Sequence, residues 1–213
     1  MKLNMKIKIG IDSPSAAGAG TISKMLAKHY NLLYCDTGKI YRFLARSIMK
    51  KKPKNNFLYL KKLKNKNLLN DEVAYVASQI AKDLKVRKLV VKFQKNLAYH
   101  PPKKFNGSIL DGRDINSKII KDADFKFYIT ASLKCRTKRR FVELKKLGKK
   151  VKFAAVLRMM KKRDREDRNR KHSKLKKTKD SHLINTTNLS IKSSFLKVKK
   201  IMDRKLNKIW KKY

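Results

Sequence analysis

Hydrophobic and polar positions along the chain fall into two rhythms. Short apolar runs of strand length occur at 7–12 (IKIGID), 32–34 (LLY), 108–111 (SILD), 125–130 (FKFYIT) and 182–185 (HLIN). Between them, apolar residues recur at helical spacing. The first such run is ISKMLAKHY at 22–30, and the second carries Ile40, Phe43, Leu44 and Ile48. Residues 71–99 follow, through Val73, Val76, Ala77 and Ile80 and then Val86, Leu89, Val90 and Phe93, before Pro101-Pro102 ends the pattern. Leu133 to Leu147 and Phe153 to Lys162 predict two more helices. A final helix, capped by Thr187 or Ser190, shows one apolar stripe of Ile191, Phe195, Val198, Met202, Leu206 and Ile209. Strands that alternate with helices predict an α/β fold with a parallel sheet covered on both faces.

Two segments interrupt the rhythm. Lys50 to Asn70 is rich in Lys and Asn and contains Pro53, so it predicts at most a short basic helix and is the best candidate for an insertion or hinge. Residues 163–170, RDREDRNR, interleave positive and negative charge and predict an exposed, mobile segment. No internal repeat is evident.

Composition then narrows the partners. In 213 residues there are 59 Lys and Arg against 15 Asp and Glu, a net charge of +44, far above the magnitude of about 2–8 usual for a small domain. Some anion is implied, whether nucleic acid, nucleotide phosphate or a lipid surface, and charge alone does not choose among them. The two cysteines, Cys35 and Cys135, form no CxxC, and four scattered histidines give no zinc spacing, which suits a reducing cytoplasm. No apolar run has signal or membrane-spanning length, so neither secretion nor a membrane partner is expected.

The first candidate for chemistry lies between the first strand and its helix. Ser13, Pro14, Ser15, Ala16, Ala17, Gly18, Ala19, Gly20 and Thr21 have small side chains, as a loop needs if its backbone N–H groups are to wrap a phosphate at a helix N-terminus. The strict P-loop pattern GxxxxGK[ST] fails, because position 13 is Ser and the lysine place is Ala19.

Further segments share an order with this loop: Asp36-Thr37-Gly38-Lys39-Ile40-Tyr41-Arg42, Glu72-Val73 with Ser78 and Arg87, Asp111-Gly112-Arg113-Asp114, Arg163-Asp164 with Asp167 and Arg170, and Asn185-Thr186-Thr187-Asn188-Leu189-Ser190-Ile191. Together, and across about the whole chain, they resemble bacterial cytidylate kinase, a P-loop nucleoside monophosphate kinase family. IDSPSAAGAGT resembles that family's IDGPSGAGKGT with three substitutions.

The resemblance implies a P-loop NTPase-type three-layer α/β/α fold with a mostly five-stranded parallel sheet. It also implies a single domain over 1–213, a reduced nucleotide-binding region over 50–100 and a helical lid over 153–180. The activity it implies is transfer of the ATP γ-phosphoryl group to CMP or dCMP with Mg2+. Residues 13–21 would bind ATP, with Thr21 helping to hold the metal. Thr37, Arg42, Ser78, Arg87, Arg113, Asp114, Arg163 and Asp167 would bind CMP, and Arg163, Asp167 and Arg170 would be catalytic. A monomer with nucleotide partners and no specific nucleic acid is the expected state.

The chain departs from the family at several places. Ala19 removes a cation from where transition-state charge develops, and Lys24, Lys39 or the lid arginines are the candidates to replace it. An arginine of the family is absent around Leu69-Asn70, Lys174 replaces a proline, and Asn185 replaces an aspartate. Two rival readings stand beside the kinase. One is a basic nucleic-acid or ribosome-associated protein, which composition alone favours, and the other is an inactive nucleotide-binding relative.

Overall fold

The computed structural model describes residues 6–49 and 71–210. Five strands, β1 (Ile7–Asp12), β2 (Leu33–Asp36), β3 (Gly107–Gly112), β4 (Phe125–Thr130) and β5 (His182–Asn185), form one sheet in the order β2-β3-β1-β4-β5. Every pairing is parallel. Helices α1 (Ala19–Tyr30), α2 (Thr37–Met49), α3 (Asp71–Ile80), α4 (Leu84–Tyr99), α5 (Leu133–Lys146), α6 (Phe153–Asn169) and α7 (Ile191–Trp210) connect the strands.

The alternation of strand side chains builds two cores, one on each face of the sheet. On one face, Ile9 and Ile11 of β1 and Phe127 and Ile129 of β4 pack with Ile22 and Leu26 of α1 and Val198, Met202 and Leu206 of α7. On the other, Leu110 of β3 meets Ile40 and Phe43 of α2, Val90 and Ala98 of α4, and Ile115, Ile119 and Ile120. Ile109 and Leu110 are adjacent and both fully buried, which is why the central strands read as apolar runs rather than alternation. A fully buried side chain of this size contributes about 1.5–3 kcal/mol. The result is the three-layer α/β/α sandwich expected from the sequence.

Several local expectations shift. The second strand begins one residue later and runs two further than LLY, to Asp36, which pairs in register with Asp111 of β3. Residues 71–99 divide into α3 and α4, because the Asp83 side chain accepts from the N–H groups of Lys85 (2.7 Å) and Val86 (3.2 Å) and starts a new helix there. The expected short basic helix and hinge at 50–70 lie outside the described residues. A π-helical turn at Ile115–Ile119 has no sequence signal; it forms where Asp12 accepts the N–H groups of Ile115 and Asn116.

Residues 163–170 continue the helix begun at Phe153 and are mostly the last turns of α6, but the segment is not uniformly exposed, since Asp167 is 1% exposed. The two aspartates there reach different neighbours: Asp164 accepts a two-pronged pair from Arg136 of α5 (3.0 and 2.6 Å), while Asp167 pairs with Arg113, just past the end of β3. Of the two cap candidates for α7, Ser190 accepts from the Ser193 N–H (3.0 Å), whereas Thr187 accepts from the Ser132 N–H instead. Ile191 is 62% exposed, so the buried stripe starts a turn later, at Phe195. Asn185 accepts from the backbone and hydroxyl of Thr187, so its amide oxygen closes the turn after β5.

The Asp83→Ala substitution removes the α4 cap and is expected to cost about 1 kcal/mol in urea unfolding, with the slope of the transition unchanged.

Candidate active site

A parallel sheet with helices on both faces leaves a crevice at the carboxyl ends of its strands. Here the crevice is a cleft of about 720 Å³, and the residues singled out from sequence converge on it from the loop into α1, from α2, α3, α4 and α6, and from the segment after β3. All of loop 13–21 lines it, as do Thr37, Arg42, Ser78, Arg87, Arg113, Asp114, Arg163 and Arg170. Asp167 alone among the candidates does not line it; it lies beneath, between Arg113 and Arg170.

The loop after β1 opens with the Ser13 N–H on the Gly112 carbonyl (3.1 Å) and closes at Gly18, whose φ of +94° starts α1. Three groups brace it from outside. Arg136 donates to the Ser15 carbonyl (3.3 Å), Arg139 to the Ala17 carbonyl (3.3 Å), and the Thr186 hydroxyl to the same Ala17 carbonyl (2.9 Å). Ala16 packs on the α5–α6 core and has a φ of +58°, a left-handed conformation that disfavours a Cβ. This is one of the places where the phosphate-loop pattern quoted above has glycine. At the base of the loop, a Cβ on Gly112 would stand 2.4 Å from the Thr37 hydroxyl, so this close approach requires glycine. The Thr37 hydroxyl donates to the Asp111 carbonyl at 2.6 Å.

Two carboxylates border the first turn of α1. Asp36 and Asp111 are register partners, and Tyr34 donates to Asp111 at 2.9 Å. Burial and then the charge of Asp36 push Asp111 above the ordinary carboxylate range. Burial pushes Asp12, under the loop, up to about 7, although the two backbone N–H groups it accepts pull the other way.

The far side of the cleft is built of arginines. Arg113 donates to Asp167 at 2.6 Å and Arg170 pairs with the same carboxylate. Arg163 has a buried Nε with no hydrogen-bond partner. Burial lowers Arg163 to about 10, and repulsion from Arg113, Arg42 and Arg140 adds to it; Arg170 is likewise lowered to about 10 by burial and by Arg113, Arg87 and Arg163. Burial also lowers Arg42. All remain cationic at neutral pH, so the cluster is a desolvated, self-repelling set of donors that an anion would relieve.

At the end of the cleft, Arg87 uses three donors at once. Its Nη2 pairs with Asp114 (2.8 Å), its Nη1 donates to the Ala81 carbonyl (2.9 Å) and its Nε donates to Ser173 (2.9 Å). Read as one basic residue among 59, Arg87 would be a surface side chain, yet it is buried. Ser78 lines the same end with its hydroxyl donating to the Tyr75 carbonyl, and the Tyr41 ring lies 6.0 Å from the Arg87 guanidinium. Tyr41, Tyr34, Asp36, Asp111, Arg139 and Arg140 were not singled out as site residues from sequence. The first four sit inside or beside motifs that were noted, and the two arginines had no signal beyond the basic composition.

A family profile for cytidylate kinase matches residues 9–56 and 48–204. The cytidylate kinase of Bartonella bacilliformis is 39% identical over 197 residues, covering 88% of this chain and 90% of that protein. The chain belongs to the cytidylate kinase family. The cytidylate kinase of Brucella ovis is 35% identical over 208 residues, 93% of either protein. Membership makes the chain a nucleoside monophosphate kinase. Solved structures agree on the fold alone. An uncharacterized protein from Eubacterium ventriosum has a TM-score of 0.58 at 18% identity, covering 93% of this chain and 99% of its own. A shikimate kinase from Bacteroides thetaiotaomicron has a TM-score of 0.54 at 11% identity, covering 92% and 98%. Among the described residues no helix is long and apolar enough to cross a membrane.

Two stability measurements follow. Ala16→Gly relieves the left-handed strain and is expected to stabilise the protein by about 1 kcal/mol, read as a higher midpoint in denaturant. Asp12 binds a proton more tightly folded than unfolded, so its contribution to stability is complete below its unfolded value of 3.8 and is lost as pH rises through about 7. Asp12→Asn removes that titration, so the variant's stability should decline less than the wild type's between about pH 4 and about 7 in unfolding titrations.

Proposed function

We propose that this member of the family transfers the γ-phosphoryl group of ATP to CMP or dCMP. The observation that carries the reading is a single cleft with a phosphate-binding loop at one end, a buried arginine–aspartate pair at the other, and between them arginines that include an unpartnered buried Nε.

ATP would lie with its phosphates over residues 13–21, held by loop N–H groups and the N-terminus of α1. The acceptor's phosphate would sit among Arg42, Arg113 and Arg163. An oxygen of that phosphate forms a bond to the γ-phosphorus as the bond to the β,γ-bridging oxygen breaks, giving CDP or dCDP and ADP. The step needs alignment and charge compensation and no covalent protein nucleophile. Arg163 and Arg170 reach the cleft from α6, and Asp167 fixes the direction of Arg113 and Arg170 from beneath. Closure over both nucleotides would exclude water from the transferring group.

The donor set also fits magnesium. The Thr21 hydroxyl, Asp36 and Asp111 offer hard oxygens at the cleft, and magnesium on nucleotide phosphates keeps several waters, so it does not require a full protein cage. Thr21 and these carboxylates would hold the ion, which when bound neutralises donor phosphate charge.

Base choice follows from hydrogen-bond polarity. Arg87 spends three of its five N–H groups on the protein and Asp114 one oxygen, Oδ2, on Arg87. The remaining donors and the other carboxylate oxygen match cytosine, whose ring nitrogen and carbonyl accept and whose amino group donates. Uracil reverses two of those three and would leave buried groups unpaired.

A coupled assay over CMP, dCMP, UMP and AMP tests the reading. Transfer to CMP or dCMP with ATP and magnesium is expected, with kcat/KM for UMP lower by about 100-fold or more. Arg163→Met should cut kcat by about 10³-fold or more. No transfer to any monophosphate by folded protein would overturn it.

A further inference from the structure

The cation that a P-loop normally carries is missing from this chain, since Ala19 stands in its place and packs into the α1 core at 5% exposure. Its backbone N–H is all it can offer a phosphate. The replacements suggested by sequence, Lys24, Lys39, Arg163 and Arg170, all line the cleft, but among the described residues none of them makes a hydrogen bond to the loop, and Arg170 is committed to Asp167.

A different side chain is seated there. Arg139, from α5, donates through Nη1 to the Ala17 carbonyl (3.3 Å) and the Thr186 hydroxyl (3.0 Å), and through Nη2 to the Thr186 carbonyl (2.8 Å). A Cβ on Gly18 would lie 3.8 Å from its Nη1, so the guanidinium flanks the residue next to position 19, and Arg139 lines the cleft. Its acceptors are all neutral. In the same region Arg136 is matched by Asp164, Arg140 by Glu143 and Arg87 by Asp114, so those charges are locally compensated. Arg139 has no carboxylate partner among the described residues, and with three hydrogen bonds made it keeps two N–H groups for oxygens in the cleft.

We propose that Arg139 supplies to the donor triphosphate the positive charge that Ala19 does not. The inference rests on the reading of this cleft as an ATP site. It assigns a donor-side role to a residue outside the loop, held in place by Thr186, which ties both Arg139 and the loop to the end of β5. Position 19 is thereby released to be apolar and packed, while the charge enters from α5.

The test is a double-substitution cycle in the full chain, reading ATP binding by calorimetry with magnesium and no acceptor, CMP binding alone, and melting temperature. R139Q is expected to weaken ATP binding by about 10- to 100-fold, the range for losing a charged hydrogen-bond donor, with CMP binding unchanged. A19K in the R139Q background is expected to recover most of that loss, and R139K, which keeps the charge, to lose less than R139Q. If R139Q binds ATP as the wild type does, or its loss is not restored by A19K, or R139K loses as much, then Arg139 only braces the loop and the proposal falls. Should R139Q fail to fold, R139K and the pair A19K and A19K/R139K decide on the same readouts: the proposal predicts that A19K makes ATP binding insensitive to the change at 139. A wild type that binds ATP but phosphorylates no monophosphate would overturn the functional reading while leaving this measurement intact.

Discussion

The architecture of the cleft depends on one buried carboxylate. Asp167 is 1% exposed and takes Arg113 from the end of β3 and Arg170 from the end of its own helix. A lone buried charge is costly, but one that bridges two cations is compensated and fixes their directions. It thus couples the sheet, which carries the phosphate loop, to α6. Remove it and the cluster of Arg42, Arg113, Arg163 and Arg170 would lose a carboxylate that pairs directly with two of its members. One carboxylate organises part of the cluster; on the proposed function the rest, including the orphaned Nε of Arg163, is left for a substrate anion.

The same logic separates useful charge from background charge. A balance of +44 first suggests a polyanion surface, and most of it is dispersed lysine. The charges that build the site are nearly all arginine. Arginine brings a planar fork that can satisfy a carboxylate on one edge and a phosphate on the other, and it stays charged when desolvation pushes its proton affinity down. Arg87, Arg113, Arg136 and Arg139 each make two or more hydrogen bonds within the protein, which a lysine could not do with the same geometry.

The layers of the fold were legible because burial on both faces leaves apolar runs that need no partner to be recognised. All five strands and the helices outside 50–70 fall where the periodicity places them, within a few residues at their ends. What was illegible was set by side-chain bonds rather than by period. The break before α4 depends on Asp83 capping, and the π-helical turn depends on Asp12, over a hundred positions away in sequence. RDREDRNR was misread because interleaved charge resembles a solvated face. Only the positions of Arg136 and the β3 end show that its two aspartates point at different arginines.

The site divides in the same way. Its loop, Arg42, Arg113 and Arg163, and Arg87 and Asp114 singly, could be named from motifs, since each motif keeps its residues close in sequence; that Arg87 and Asp114 pair could not. Arg139 could not, because the carbonyls and hydroxyl that define its place belong to residues 17 and 186. The lost lysine was visible as a gap in a pattern, and sequence suggested looking for its substitute among neighbours in the chain or on the lid. The fold places a guanidinium at the gap from a helix that no motif marks. A phosphate loop constrains where positive charge must stand and not which strand or helix delivers it, so a substitution at position 19 can be tolerated wherever the surrounding layer already holds an uncompensated cation against the loop.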